Sequence, residues 1–203
     1  MVTIEQIREI RAAIRQVQKP SRYEHTLGVA YTAACMAFVH GGDPLEAELA
    51  GILHDCAKGF SDEELIRLCR EDGIYLSEEE IASPQVIHAV YGKHLAETVY
   101  GIRDKGILDA IAHHTTGRAG MSVLEKIIFT ADFIEPLRNQ APDLEELRRL
   151  AFKDLDLCVY RILKSTVDYL QSRQALIVPA TLEAYEYYKQ SAEARNLLPA
   201  RVQ

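Results

Sequence analysis

Apolar residues recur every three or four positions along most of the chain, the spacing of helix faces rather than of strands. Five of these runs are preceded by a polar residue with Glu or Gln three places on: Thr3 with Gln6, Ser61 with Glu64, Ser77 with Glu80, Ser122 with Glu125, and Asp143 with Glu146. Each such pair can satisfy the free amides of a helix start, so each predicts an N-terminus. Gly41-Gly42 reads as a helix stop, and Asp43-Pro44 restarts a helix with proline in its first turn. The pattern predicts helices near 3–18, 21–40, 44–57, 62–72, 78–82, 84–100, 104–114, 122–135, 143–172 and 181–195. No segment alternates with period two, and the apolar "ALIVPAT" (175–181) is short and broken by proline. The expected fold class is all-α. "RNQAPD" (138–143) is the expected boundary before a long C-terminal helix, whose packing stripe is Leu147, Leu150, Ala151, Leu157, Ile162 and Val167.

A length of 203 residues suits one domain, or one with a helical appendage, and allows a substantial core. The net charge of −7 argues against a dedicated nucleic-acid surface, so any anionic phosphate must be handled locally, by a metal or a few placed cations. "MVTIEQIREIRAAIRQVQK" mixes charge with Ile and Val, which fits neither a signal peptide nor a membrane span, and no membrane association is expected. Cys35, Cys56, Cys69 and Cys158 lie far apart with no Cys-x-x-Cys pair, which predicts reduced thiols and a cytoplasmic protein. "YEYY" (185–188) could serve a homodimer contact or the core, with the core the expected use.

Helical spacing sorts the seven histidines. His25 shares a face with Gly28, Val29, Thr32, Met36 and Val39; His88 with Tyr91, Gly92, Leu95 and Val99; and His114 with Ile107, Ala110 and Ile111. Asp132 shares a side with Glu125, Ile128 and Phe129, whereas His40 and His94 lack an apolar stripe and His113 is ambiguous. A single inward histidine is more often a hydrogen-bonded core residue than a ligand. Asp55 is harder to explain that way, because a carboxylate near a helix C-terminus opposes the macrodipole; its ordinary partner would be Lys58. Several inward imidazoles and two inward carboxylates on separate helices would each need its own partner, whereas one divalent cation serves many at once. His25, His54, Asp55 and Asp132 offer a mixed nitrogen and oxygen set suited to iron, manganese, zinc or cobalt, and the lack of thiolate ligands argues against structural zinc.

The order His25, His54-Asp55, His88, His114, Asp132, with the flanks "SRYEHTLGVA", "GILHDCAKGF", "HAVYGKHLAETVYGI" and "AIAHHTTGRAGMSVLEKIIFTADFIEPLR", closely resembles the YqeK family of the HD superfamily. These are symmetrical bis(5′-nucleosyl)-tetraphosphatases, which cut diadenosine tetraphosphate into two ADP. The resemblance runs from about residue 3 to 190 and implies an HD-domain helical bundle over 1–203, with the metal-ligand core at about 18–138 and C-terminal helices 143–195 packed on it. It implies an iron-type centre of one or two ions on His25, His54, Asp55 and Asp132. His88 and His114 then face the substrate phosphates or a second ion, either one a candidate to protonate the leaving oxygen, with Asp55 a candidate base. Arg22, Lys58 and Arg138 match polyphosphate-contacting positions, beside the carboxylates Asp55 and Asp132. Ala175, Leu176, Ile177, Val178, Pro179 and Ala180 match a segment lining the nucleoside pocket. Two other readings compete: an HD hydrolase of a nucleoside monophosphate, cyclic nucleotide or guanosine polyphosphate, and a non-catalytic nucleotide-binding module.

Overall fold

A computed structural model describes residues 1–198, so 199–203 of the expected domain span lie outside the described residues. The helices are α1 (Ile4–Val17), α2 (Pro20–His40), α3 (Pro44–Leu53), α4 (Asp62–Glu71), α5 (Glu78–Ala82), α6 (Ile87–Thr98), α7 (Lys105–His113), α8 (Val123–Ile134), α9 (Leu144–Ala151), α10 (Leu155–Ser172) and α11 (Pro179–Ala194). A single 3₁₀ turn, Pro84–Val86, leads into α6. The described residues contain no strand, and none of their helices is long and apolar enough to cross a membrane. The all-α expectation is therefore met.

Local chemistry explains most of the boundaries. Ser61, Ser77 and Ser122 each accept from the backbone amide three residues on, while Glu64, Glu80 and Glu125 accept in return from the serine amides. Thr3 and Asp43 cap α1 and α3 from one side, and Gly41, at φ 72°, closes α2 in the left-handed region. The C-terminal expectation needs correction, because 143–172 is two helices. Asp154 leaves helical geometry at φ −148° and accepts from Leu157 N, starting α10 as a fresh helix. Asp143, expected as a cap, sits at φ 56° with no capping bond from its side chain. Of the stripe, Leu147, Ala151, Ile162 and Val167 are buried, whereas Leu150 and Leu157 are partly so.

One apolar cluster runs from Ile7 of α1 through α2, α3, α7, α8 and α10 to Ala192 of α11. A smaller one joins Leu65 and Cys69 of α4 to Ile87 and Tyr91 of α6. The centre of the bundle is built from small residues, among them Ala30, Ala33 and Ala37 of α2 and Ala47, Ala50 and Gly51 of α3. Such residues let helix backbones approach closely, which brings polar groups at the helix ends together. At Gly51 the two backbones nearly touch: a Cβ there would lie 2.6 Å from Ala30 Cα. Tyr188 is buried, with Met121 N donating to its hydroxyl, and Tyr185 stacks on Tyr160, so these two tyrosines serve the core while Tyr187 stays half exposed.

Candidate metal centre

Four histidines and two carboxylates from five helices converge at the middle of the bundle. His25 comes from α2, His54-Asp55 follows α3, His88 opens α6, His114 follows α7, and Asp132 lies on α8. His25, His54, Asp55, His88 and His114 are all buried. Val39 and Val99, expected on two of the histidine faces, are instead exposed near the ends of their helices. Three of the imidazoles share one device. His54 Nδ1 donates to Gly51 O, His88 Nδ1 to Gln85 O and His114 Nδ1 to Ile111 O, each at 2.7 Å. A carbonyl can only accept, so the ring proton is on Nδ1 in each case. Two of those carbonyls belong to the last turns of α3 and α7, where backbone acceptors lack helical partners. The fourth histidine, His25, turns Nδ1 to Glu135 Oε1 at 3.1 Å.

In the neutral ring each of the four Nε2 atoms is then a lone-pair donor, and they face one another. His25 Nε2 lies 3.3 Å from His54 Nε2, and His88 Nε2 lies 3.2 Å from His114 Nε2. Asp55 stands between the pairs: Oδ2 is 3.8 and 3.5 Å from His25 and His54, and Oδ1 is 3.3 and 3.6 Å from His88 and His114. Asp132 Oδ1 adds a contact of 3.1 Å to His25 Nε2. Neutral imidazoles that hold their protons outward and their lone pairs inward, around a carboxylate, form a donor set that calls for positive charge. Two overlapping groups, His25–His54–Asp55 and Asp55–His88–His114, each gather their donor atoms within 4.8 Å. The set fits a divalent cation.

Proton affinities carry the same imprint. Burial works against an ionised Asp55, but the neighbouring His54, with His114 and His88, outweighs it and holds the carboxyl well below its usual range. Asp132 is likewise lowered despite burial, by His25, His54, His114 and Arg138. Burial also disfavours a charged His25, yet Asp132 and Glu135 prevail and raise its pKa. His88 goes the other way: burial, with His114 and Lys58 nearby, pushes it down to about 4 against the pull of Asp55. Near neutral pH it is the uncharged imidazole, the form that ligates metals.

The HD-domain family model matches residues 22–147, which contain all six of these residues. A symmetrical bis(5′-nucleosyl)-tetraphosphatase of Halalkalibacterium halodurans is 41% identical over 181 residues, covering 86% of this chain and 95% of that protein. The enzyme of the same name from Bacillus subtilis is 37% identical, covering 88% and 95%. The chain belongs to the YqeK branch of the HD-domain family. A crystal structure from Clostridium acetobutylicum, described as a predicted HD superfamily hydrolase involved in NAD metabolism, superposes on this HD fold with a TM-score of 0.87. It is 36% identical and covers 90% of this chain and 96% of that one.

Around the HD cluster the expected phosphate contacts are present but engaged. Arg22 Nη1 donates to Asp55 Oδ2 at 2.7 Å, and Arg138 Nη2 to Asp132 Oδ1 at 2.8 Å. Lys58, expected to pair with Asp55 if it were only structural, instead places Nζ 3.0 Å from His88 Nδ1, and burial lowers its pKa. From the cluster a cleft of about 1520 Å³ opens between the 135–143 loop and α10, and Arg22, His25, Thr115 and Arg138 reach it. Of the expected nucleoside-pocket segment, Leu176 and Val178 line this cleft, whereas Ala175, Ile177, Pro179 and Ala180 do not. Extended backbone turns alternate residues away, and Pro179 already begins α11.

Three further residues shape the surroundings: Thr115 and Gln18, which no sequence pattern marks, and Glu125, which the sequence marks only as a helix-start partner and on the side of Asp132. Thr115 Oγ1 sits 3.1 Å from His114 Nε2 and 3.3 Å from His88 Nε2. Gln18 donates to Asp55 O and accepts from Thr26 Oγ1. Glu125, only 1% exposed, accepts from Arg118 Nε and Nη2 at 2.6 and 2.7 Å and from His113 Nδ1 at 2.9 Å, tying down the loop after His114. Burial would raise its pKa, but His113, Arg118 and Ser122 hold it far below the ordinary 4.5. A lowered folded-state pKa gives stability that is present above the unfolded value and lost as pH falls through the folded one. Glu125→Gln is therefore expected to cost about 2 kcal/mol at pH 7 in urea unfolding. The gap to the parent should narrow once the pH drops below 4.5.

Proposed function

We propose that this chain is a metal-dependent phosphoric anhydride hydrolase that cuts diadenosine tetraphosphate symmetrically to two ADP. The carrying observation is the pair of imidazole couples, each turning lone pairs toward one oxygen of Asp55. The relatives' shared name supports the substrate, and their coverage of most of the chain supports reading 1–203 as one functional domain. His25, His54, Asp55 and Asp132 would hold one ion, and Asp55, His88 and His114 a second; the mixed donors suit iron, manganese, cobalt or zinc, and the family resemblance favours iron. When bound, such ions lower the pKa of water and polarise phosphoryl oxygens.

The chain's own side chains supply the rest. Arg22 and Arg138 are 39% and 45% exposed, free enough to exchange their carboxylates for phosphate oxygens, which arginine can grip bidentately. Lys58 offsets charge on the leaving nucleoside diphosphate from beside His88. Thr115, on the cleft wall, can hydrogen-bond a phosphate oxygen while its loop stays pinned by Glu125. Leu176 and Val178 give a nucleoside an apolar surface. The four cysteines are unpaired, in keeping with a reducing cytoplasm.

The substrate assignment is tested by rates on diadenosine tetraphosphate against a nucleoside monophosphate, a cyclic nucleotide and a guanosine polyphosphate. Preference for any of the last three would overturn it. For the second ion, His88→Ala should retain about half the bound metal of the parent. Unchanged metal with lost activity would make His88 a phosphate contact instead.

A further inference from the structure

Glu135 closes α8 in the manner of Asp55 after α3, as a carboxylate at a C-terminus where the helix dipole is unfavourable. It is 1% exposed, and both its oxygens are used. Oε1 accepts from His25 Nδ1 at 3.1 Å, and Oε2 accepts from Leu137 N at 2.7 Å. Its space is made by Gly28, in the middle of α2, where a Cβ would fall 2.5 Å from Glu135 Oε2. Its backbone carbonyl accepts from Arg138 N and from Arg148 Nη2, fixing the turn that carries Arg138.

From these contacts we infer that Glu135 is a positioning residue for the metal centre, setting the tautomer and orientation of His25, and that Gly28 exists in α2 to admit it. The inference rests on the reading of His25 as a metal ligand. Its logic is one of donors and acceptors. Leu137 N–H is a fixed donor, so a glutamine at 135 keeps its oxygen toward Leu137 and turns its NH₂ toward His25 Nδ1. That nitrogen must then accept, and the ring proton moves to Nε2, the atom that should face the ion.

Two readouts independent of turnover test this. In metal-free, ¹⁵N-histidine-labelled protein at pH 9, the His25 ring, assigned by its loss in His25→Gln, should carry its proton on Nδ1 in the parent and on Nε2 in Glu135→Gln. In zinc titrations Glu135→Gln should bind about 10–100-fold more weakly. Gly28→Ala, which displaces the carboxylate without altering any charge, should weaken zinc comparably. An unchanged His25 tautomer with zinc affinity equal to the parent in both variants, whatever their melting temperatures, overturns the inference and leaves the metal reading intact. A parent that binds no zinc, iron or manganese overturns both.

Discussion

Replacing Asp55 with Asn is expected to reduce hydrolysis of diadenosine tetraphosphate by at least ~10³-fold, about 4 kcal/mol of transition-state stabilisation, while the helices remain intact. Asp55 is the single group common to both imidazole couples, one oxygen to each. Asparagine keeps the shape but offers one acceptor instead of two and no charge, so one couple faces an NH₂, and only the His25–His54 couple, beside Asp132, still faces an anion. The fold should tolerate this, because Arg22, which donates to Asp55, is 39% exposed and can turn to water. Metal content measured alongside activity should fall with it. Activity within tenfold of the parent would remove Asp55 from the centre of the account.

The second large effect is on stability. Gly51→Ala should lower it by about 3 kcal/mol, through overpacking at a contact with no flexible side chain to yield. The added carbon would lie 2.6 Å from Ala30 Cα and 3.0 Å from Ala30 N, so the two helix backbones must separate. For a chain of this size the melting temperature should fall by roughly 10 °C. Because Gly51 O also accepts from His54 Nδ1, metal affinity should drop with it. A melting temperature within 2 °C of the parent, read by circular dichroism and allowing the usual ~2–4 °C per kcal/mol, would contradict the close approach of α2 and α3.

The helices were legible because their start signals are local. A serine with a glutamate three residues on closes its hydrogen bonds within one turn, whatever the rest of the chain does. The inward histidines were legible for a related reason, since each rides a stripe of small or apolar residues. Asp143 failed as a cap because the turn before α9 holds it in the left-handed region, something its neighbours in sequence do not announce. Glu135 carries a readable sign in the sequence: it ends a helix against the dipole, as Asp55 does, and Gly28 interrupts a helix where a larger residue would be expected. The pairing of Arg22 with Asp55 could not be read at all, because it depends on how α2 and α3 are set against one another, whereas that of Arg138 with Asp132, six residues apart, depends on the turn that follows α8.

The most direct test is product identity. Purified protein stripped with chelator should leave diadenosine tetraphosphate uncut, and adding back ferrous or manganous ion should give ADP as the sole nucleotide product, two per substrate consumed. AMP and ATP in equal amounts, or hydrolysis undiminished in the stripped protein, would contradict the account.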